Sequence, residues 1–183
     1  MKFNQGIILL FFFLIVSCAE QEARRPISKS KSYTLADTSE QLKKINRNEE
    51  LKIEAYIKRD SLTEYNSSPN GYWYSYLNKV EGNGESPQSE DVVELLYEIL
   101  DLKDQVIYSK EELGLKNYKI DKEDFIPALQ LGIKEMKVGE TIKFVIPSYN
   151  AFGVVGDEYK IGINQSIISI VTLLNINKKN EDN

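Results

Sequence analysis

The chain contains no histidine and a single cysteine among its 183 residues. Without imidazole, Ser-His relays, histidine general bases and His-ligated zinc are all excluded. One thiol closes no disulfide within the chain, and neither a metal nor a cofactor is expected. Lysine and arginine number 23 against 28 acidic residues, and no basic tract is long enough to track a phosphate backbone. Nucleic acid is therefore not an expected partner. The longest apolar run, residues 7–16, falls short of the roughly 20 residues that cross a bilayer as a helix.

That run has a different use. Lys2 supplies a positive start, the apolar segment follows, and Ile15-Val-Ser-Cys18 stands where a secretory signal is cleaved. Small Ser17 before Cys18 resembles the bacterial lipobox, in which the cysteine is acylated and becomes the first residue of the mature chain. Several acyl chains on one residue hold a protein stably at a membrane, where one does not. The reading is a lipoprotein-type signal peptide over residues 1–17, Cys18 as lipid anchor, and a polar tether over 18–36. It implies a lipid-anchored protein of the cell envelope, on an inner or outer membrane and facing the periplasm.

Residues 37–66 read as a helical arm. Asp37-Thr-Ser-Glu40 has the spacing of a helix start, and Leu42, Ile45, Ile53, Tyr56 and Ile57 form a narrow apolar stripe, interrupted over residues 46–50. The interruption argues against a sustained coiled coil. The arm is expected to lie on the following domain or to pair with a second copy of itself as a homodimer. Residues 67–71 carry strong turn chemistry, and from Gly71 the period changes to two. Strands are predicted over residues 72–80, 91–102, 105–109, 141–146 and 166–176, the last read as a buried strand. Residues 110–124 are mostly charged, with Leu113, Leu115, Tyr118 and Ile120 as apolar anchors. Pro127 suits a first helical turn, and Leu129, Ile133 and Met136 share one face before Gly139 ends the helix. The fold class is α+β: an antiparallel sheet with one short helix on a face, spanning residues 67–177, then a polar tail over 178–183 expected to be disordered.

Gly71-Tyr-Trp-Tyr74, Gly82-Asn-Gly84, Asp91-Val92, Tyr97, Phe125-Ile126-Pro127, Met136-Lys-Val-Gly139-Glu, Ile146-Pro147, Ala151-Phe-Gly153 and Ile161 fall in an order that resembles FKBP-type peptidyl-prolyl isomerases. With the lipobox and the arm, the whole chain resembles the FKBP-type lipoproteins of gliding bacteria of the Bacteroidota, associated with gliding motility. The resemblance implies an FKBP-like antiparallel sheet curled around one short helix, with an apolar pocket between them for the proline of a polypeptide substrate. It also implies rotamase activity that needs no nucleophile, base, metal or cofactor.

By the same resemblance, Tyr97 matches the aromatic of the second strand, and the N–H of Ile126 is the backbone donor to substrate. Phe152 matches the tyrosine of the Ala-Tyr-Gly loop. Ile107, Phe125 and Ile161 match pocket positions. Five departures accompany these matches. Leu129 replaces the tryptophan of the pocket floor, which implies a shallower floor, and Tyr108 replaces an acidic residue, which removes a charge. Phe152 lacks the tyrosine hydroxyl, Ser169 replaces a phenylalanine, and no clear aromatic stands near Lys116. From the residues alone, each of these aromatic and apolar positions reads equally as core packing. Two other readings stand beside a prolyl isomerase: a non-catalytic chaperone or binding module, and a structural lipoprotein docked through its arm.

Overall fold

The structure, a computed structural model, describes residues 35–179. The signal-peptide, Cys18 and tether expectations lie outside the described residues, as do residues 180–183. Among the described residues no helix is long and apolar enough to cross a membrane.

Among the described residues, helix α1 (Leu35–Arg59) comes first. Strands β1 (Asn66–Ser68), β2 (Tyr72–Asn78), β3 (Val92–Leu100) and β4 (Val106–Tyr108) follow. A helical turn α2 (Lys110–Leu113), strand β5 (Lys116–Lys119) and helix α3 (Pro127–Gly132) come next. Strands β6 (Thr141–Ile146) and β7 (Ile167–Asn177) are the last described. All pairings are antiparallel, in the order β1-β2-β6-β7-β3-β4. Strand β5 pairs with Val92 to Leu95 of β3, while β4 pairs with Ile99 and Leu100. The two partners share one edge of β3 and leave Tyr97 in the gap between them.

Period-two alternation sorts the side chains onto two covered faces. Tyr72 of β2, Val93, Leu95 and Ile99 of β3, Ile142, Phe144 and Ile146 of β6, and Ile167, Val171 and Leu173 of β7 pack with Leu129, Ile133 and Met136. The opposite face carries Trp73, Leu100, Val145, Ile168 and Ile170, and α1 lays Ile53, Tyr56 and Ile57 on it. Both faces of β7 are covered over its first part, so apolar residues fall on both, Ile167, Val171 and Leu173 on one and Ile168 and Ile170 on the other. The arm thus lies on the domain that follows it. The stripe residues Ile53 and Tyr56 are 0% and 3% exposed against the chain's own sheet, whereas Leu42 is exposed.

Some expectations need correction. The helix of the arm, expected within residues 37–66, runs from Leu35 to Arg59 and so ends seven residues before Asn66. Asn66–Ser68, read as arm and turn, form β1, hydrogen-bonded back onto Tyr72 to Tyr74. The charged stretch 110–124 contains α2 and β5, whose shortness hid any period. In the tail expected to be disordered, the Lys179 N–H donates to Asp91 at 3.0 Å, and the Lys178 ammonium pairs with Asp91 and Glu85.

The turn after α3 is closed by a buried carboxylate. Glu140, 1% exposed, accepts from the backbone N–H groups of Val80 and Lys137. Gly139, at φ +89°, donates its N–H to Leu173. At Gly132, inside α3, an added Cβ would sit 2.4 Å from Cε1 of Phe144. Gly→Ala in a helix ordinarily stabilises by about 1 kcal/mol. Here overpacking of a filled core, at about 1–3 kcal/mol, is expected to win, so Gly132→Ala lowers stability in urea titration instead of raising it.

Candidate functional site

Between β3, β4, the N-terminus of α3 and the loop after β6 lies a cavity of about 490 Å³. Tyr97, Ile99, Tyr108, Phe125, Ile126, Ala151 and Phe152 line it, with Asp124 and Asp157 at its polar margin. A volume of this order, walled by apolar and aromatic groups with a few polar atoms, suits a small apolar moiety. A second recess of about 320 Å³ sits at the other end of α3, beneath Tyr72, Tyr74 and Tyr76.

The cavity's walls are fixed from behind. The Phe125 ring stands edge-on to Tyr97 at 5.3 Å between centroids and lies against Tyr118 at the same distance. Such pairs lock ring orientation. Gln130 donates from Nε2 to the Phe125 carbonyl at 2.8 Å, and the Ile126 carbonyl accepts from Leu129 and Gln130, so the Phe125-Ile126 backbone is held at both ends. The Ile126 N–H donates to no acceptor among the described residues, although Ile126 is only 7% exposed. The Tyr97 hydroxyl likewise has no partner there, and burial raises its pKa. A buried donor without an acceptor is costly, which makes the Ile126 N–H a candidate for bonding a substrate carbonyl, and the hydroxyl of half-buried Tyr97 is free to bond at the same cavity.

The structure brings together five expected residues around this space: Tyr97, Tyr108, Phe125, Ile126 and Phe152. Ile107 is half-buried and packs against the core beside it. Leu129, Ile161 and Ser169 do not line the cavity. Leu129 is completely buried in the core behind it, so it does not act as an exposed floor. Ile161 is 3% exposed, and Ser169, also buried, donates to the Glu98 carbonyl at 3.1 Å.

The charge expected to be missing at Tyr108 is present after all, from another element. Asp157 accepts the Tyr108 hydroxyl proton in a hydrogen bond through Oδ2. Its Oδ1 accepts from the backbone N–H groups of Tyr159, Lys160 and Ile161, the last at 2.7 Å. Burial alone would raise the Asp157 carboxyl, but the Tyr108 hydroxyl and the three N–H donors outweigh it and hold the pKa below its ordinary value. Burial, then the neighbouring carboxylate, pushes the Tyr108 phenol up to about 12. The Lys160 ammonium lies 4.5 Å over the Tyr108 ring and completes the cluster. Asp157 was not singled out from sequence. The signal was Gly156-Asp, a turn pair in which the aspartate bonds backbone N–H groups ahead of it. Gly156 at φ +76° admits no side chain, because an added Cβ would lie 2.2 Å from the Ile161 carbonyl oxygen.

Among the described residues no group of three or more acidic or cysteine side chains is placed to hold a metal ion. The pattern of the FKBP-type peptidyl-prolyl cis-trans isomerase family matches residues 83–174, half of the chain. No curated protein sequence matches. Among solved structures, a peptidyl-prolyl cis-trans isomerase of Pseudomonas syringae pv. tomato is similar with a TM-score of 0.60 at 16% identity, over 74% of this chain and 96% of that one. FkpA of Escherichia coli is similar with a TM-score of 0.59 at 21% identity, over 97% of this chain and 84% of that one. These likenesses establish the fold, the family match establishes the kinship, and the chain belongs to the FKBP-type peptidyl-prolyl cis-trans isomerases.

Proposed function

We propose that this isomerase is lipid-anchored through Cys18 and acts on exported polypeptides in the cell envelope, gliding-motility components among them. The cavity supplies the chemistry. An X-Pro amide resists rotation by ~18–20 kcal/mol because resonance flattens it, and rotation passes through a twisted, less polar amide. Tyr97, Phe125, Ile126 and Phe152 enclose the proline ring and exclude water, which favours the twisted state over the planar one. The Ile126 N–H bonds the substrate carbonyl, and the Tyr97 hydroxyl supplies the second donor that Phe152 lacks. The observation that carries this assignment is the pair of unpartnered donors, Ile126 N–H and Tyr97 hydroxyl, at an apolar cavity.

The test is a protease-coupled assay on short X-Pro peptides together with refolding of a proline-limited protein. Acceleration is expected in both. Tyr97→Phe should lower kcat/KM about 3- to 10-fold, the worth of one neutral hydrogen bond; an unchanged value assigns the hydroxyl no role. For the anchor, Cys18→Ser is expected to move the protein from the membrane to the soluble fraction. Retention in the membrane fraction would refute acylation at that residue.

One observation favours a second reading, a holding function for unfolded chains. The loop beside the cavity exposes Val154, Val155, Tyr159 and Ile163, each more than half accessible. Suppression of aggregation that survives Phe152→Ala and Ile126→Gly would assign that loop, and not the cavity, the main task.

A further inference from the structure

The arm helix carries a buried carboxylate for which packing alone gives no reason. Glu49 of α1 is 3% exposed. Its Oε2 accepts the Ser148 N–H at 2.6 Å and the Ser166 hydroxyl at 2.8 Å, and its Oε1 accepts the Ser148 hydroxyl at 2.6 Å. Both serines are themselves buried. A carboxylate removed from water is tolerated only where donors replace the water, and here three do.

The position of the two serines gives the arrangement its meaning. Ser148 follows β6 and Ser166 precedes β7, so one side chain holds both feet of the segment between those strands. That segment contains Ala151, Phe152 and Asp157, three of the cavity's lining residues. The Ser148 carbonyl in turn accepts from the N–H groups of Ala151 at 2.9 Å and Gly153 at 2.7 Å, which flank Phe152 on either side. A continuous chain of bonds therefore runs from the arm, through Ser148, to the backbone of the cavity wall.

We infer that Glu49 is a positioning residue for the isomerase: the arm sets the placement of Phe152 and Asp157 through the Ser148 and Ser166 clamp. The arm is thus part of the working isomerase, and residues far from the cavity control its shape. The inference rests on the cavity being the substrate site. A displacement of the order of 1 Å in a group that shapes a site costs up to about 100-fold in rate, so a loosened foot is enough to matter.

The experiment uses the full chain, with Glu49→Ala, Glu49→Gln, Ser166→Ala and, as a control, Ile53→Val, which loosens the same helix without touching either serine. Two readouts are taken: turnover of X-Pro peptides, and hydrogen exchange at Ala151 and Gly153. Glu49→Ala is expected to raise exchange at both amides and lower kcat/KM about 10- to 100-fold. Glu49→Gln, which keeps one acceptor, and Ser166→Ala, which removes one bond, fall between it and the wild type, while Ile53→Val leaves both readouts near wild type. Unchanged exchange and turnover in Glu49→Ala overturns the clamp, as does an equal loss in Ile53→Val. If Glu49→Ala does not fold, Ser166→Ala decides on the same two readouts. A wild-type chain that turns over no X-Pro peptide overturns the substrate-site reading, and the exchange measurement still judges the clamp.

Discussion

Ile53→Ala is expected to destabilise the chain by about 2–5 kcal/mol, the range for emptying a fully buried aliphatic site. Ile53 is completely enclosed between α1 and the outer face of the sheet, against Leu100, Val145 and Ile168. Nearby polar bonds restrict how far the helix can settle into the space. The Tyr56 hydroxyl donates to Asp104 at 2.8 Å, and Arg59 donates to the Leu102 carbonyl at 3.1 Å. Lys143, rising from the middle of β6, pairs with Asp60 and lies over the Tyr56 ring. Urea denaturation followed by the single Trp73, which faces the arm, reads the effect directly. One transition, shifted to lower urea, is the expected result. An unshifted Trp73 transition, with a change only in oligomeric state, would mean that the arm serves association and not the fold.

Asp157→Ala is expected to have a large effect on activity. It removes the acceptor of three backbone N–H groups and of the Tyr108 hydroxyl, and these together hold the loop against the cavity. Hydrogen bonds to a charged acceptor contribute about 1.5–3 kcal/mol net, and the loss is expected in that range. The catalytic cost is expected to be about 10- to 100-fold in kcat/KM, comparable in free energy to the stability cost, because both Tyr108 and the rim move. The pH dependence has a definite sign. The folded-state pKa of Asp157 is below the ordinary 3.8, so its contribution is complete above about pH 4 and is lost as pH falls through the lower folded value. The stability gap between wild type and Asp157→Asn should therefore be constant at neutral pH and narrow in acid. A gap that widens below pH 4 would contradict a depressed carboxyl.

Much of this protein was determined by local sequence. Pro127 opens the short helix, which ends at Gly132, earlier than the expected stop at Gly139, and the alternation of Ile142, Phe144 and Ile146 gives β6 its inner face. The clustering of apolar residues at both odd and even positions from Ile167 to Leu173 indicates a strand covered on both sides there. These follow from backbone geometry and side-chain period, which act over a few residues. The family's frame was legible for the same reason. Short elements such as α2 and β5 were not, because four residues hold less than two periods of any pattern.

Only the tertiary structure decided which polar residues do the work. Glu49 sits in the arm where the apolar stripe fails, and by sequence it marks a defect. Folding carries it to Ser148 and Ser166, 99 and 117 residues away, where it becomes a buried bridge. Asp157 restores the charge that Tyr108 removes, although the two are 49 residues apart. Leu129, which by helical spacing could face either the core or a ligand, is placed in the core by the curvature of the sheet. A short-range pattern records whether a residue is buried. The partner it meets there is set by which distant strands become neighbours, and no local period carries that information.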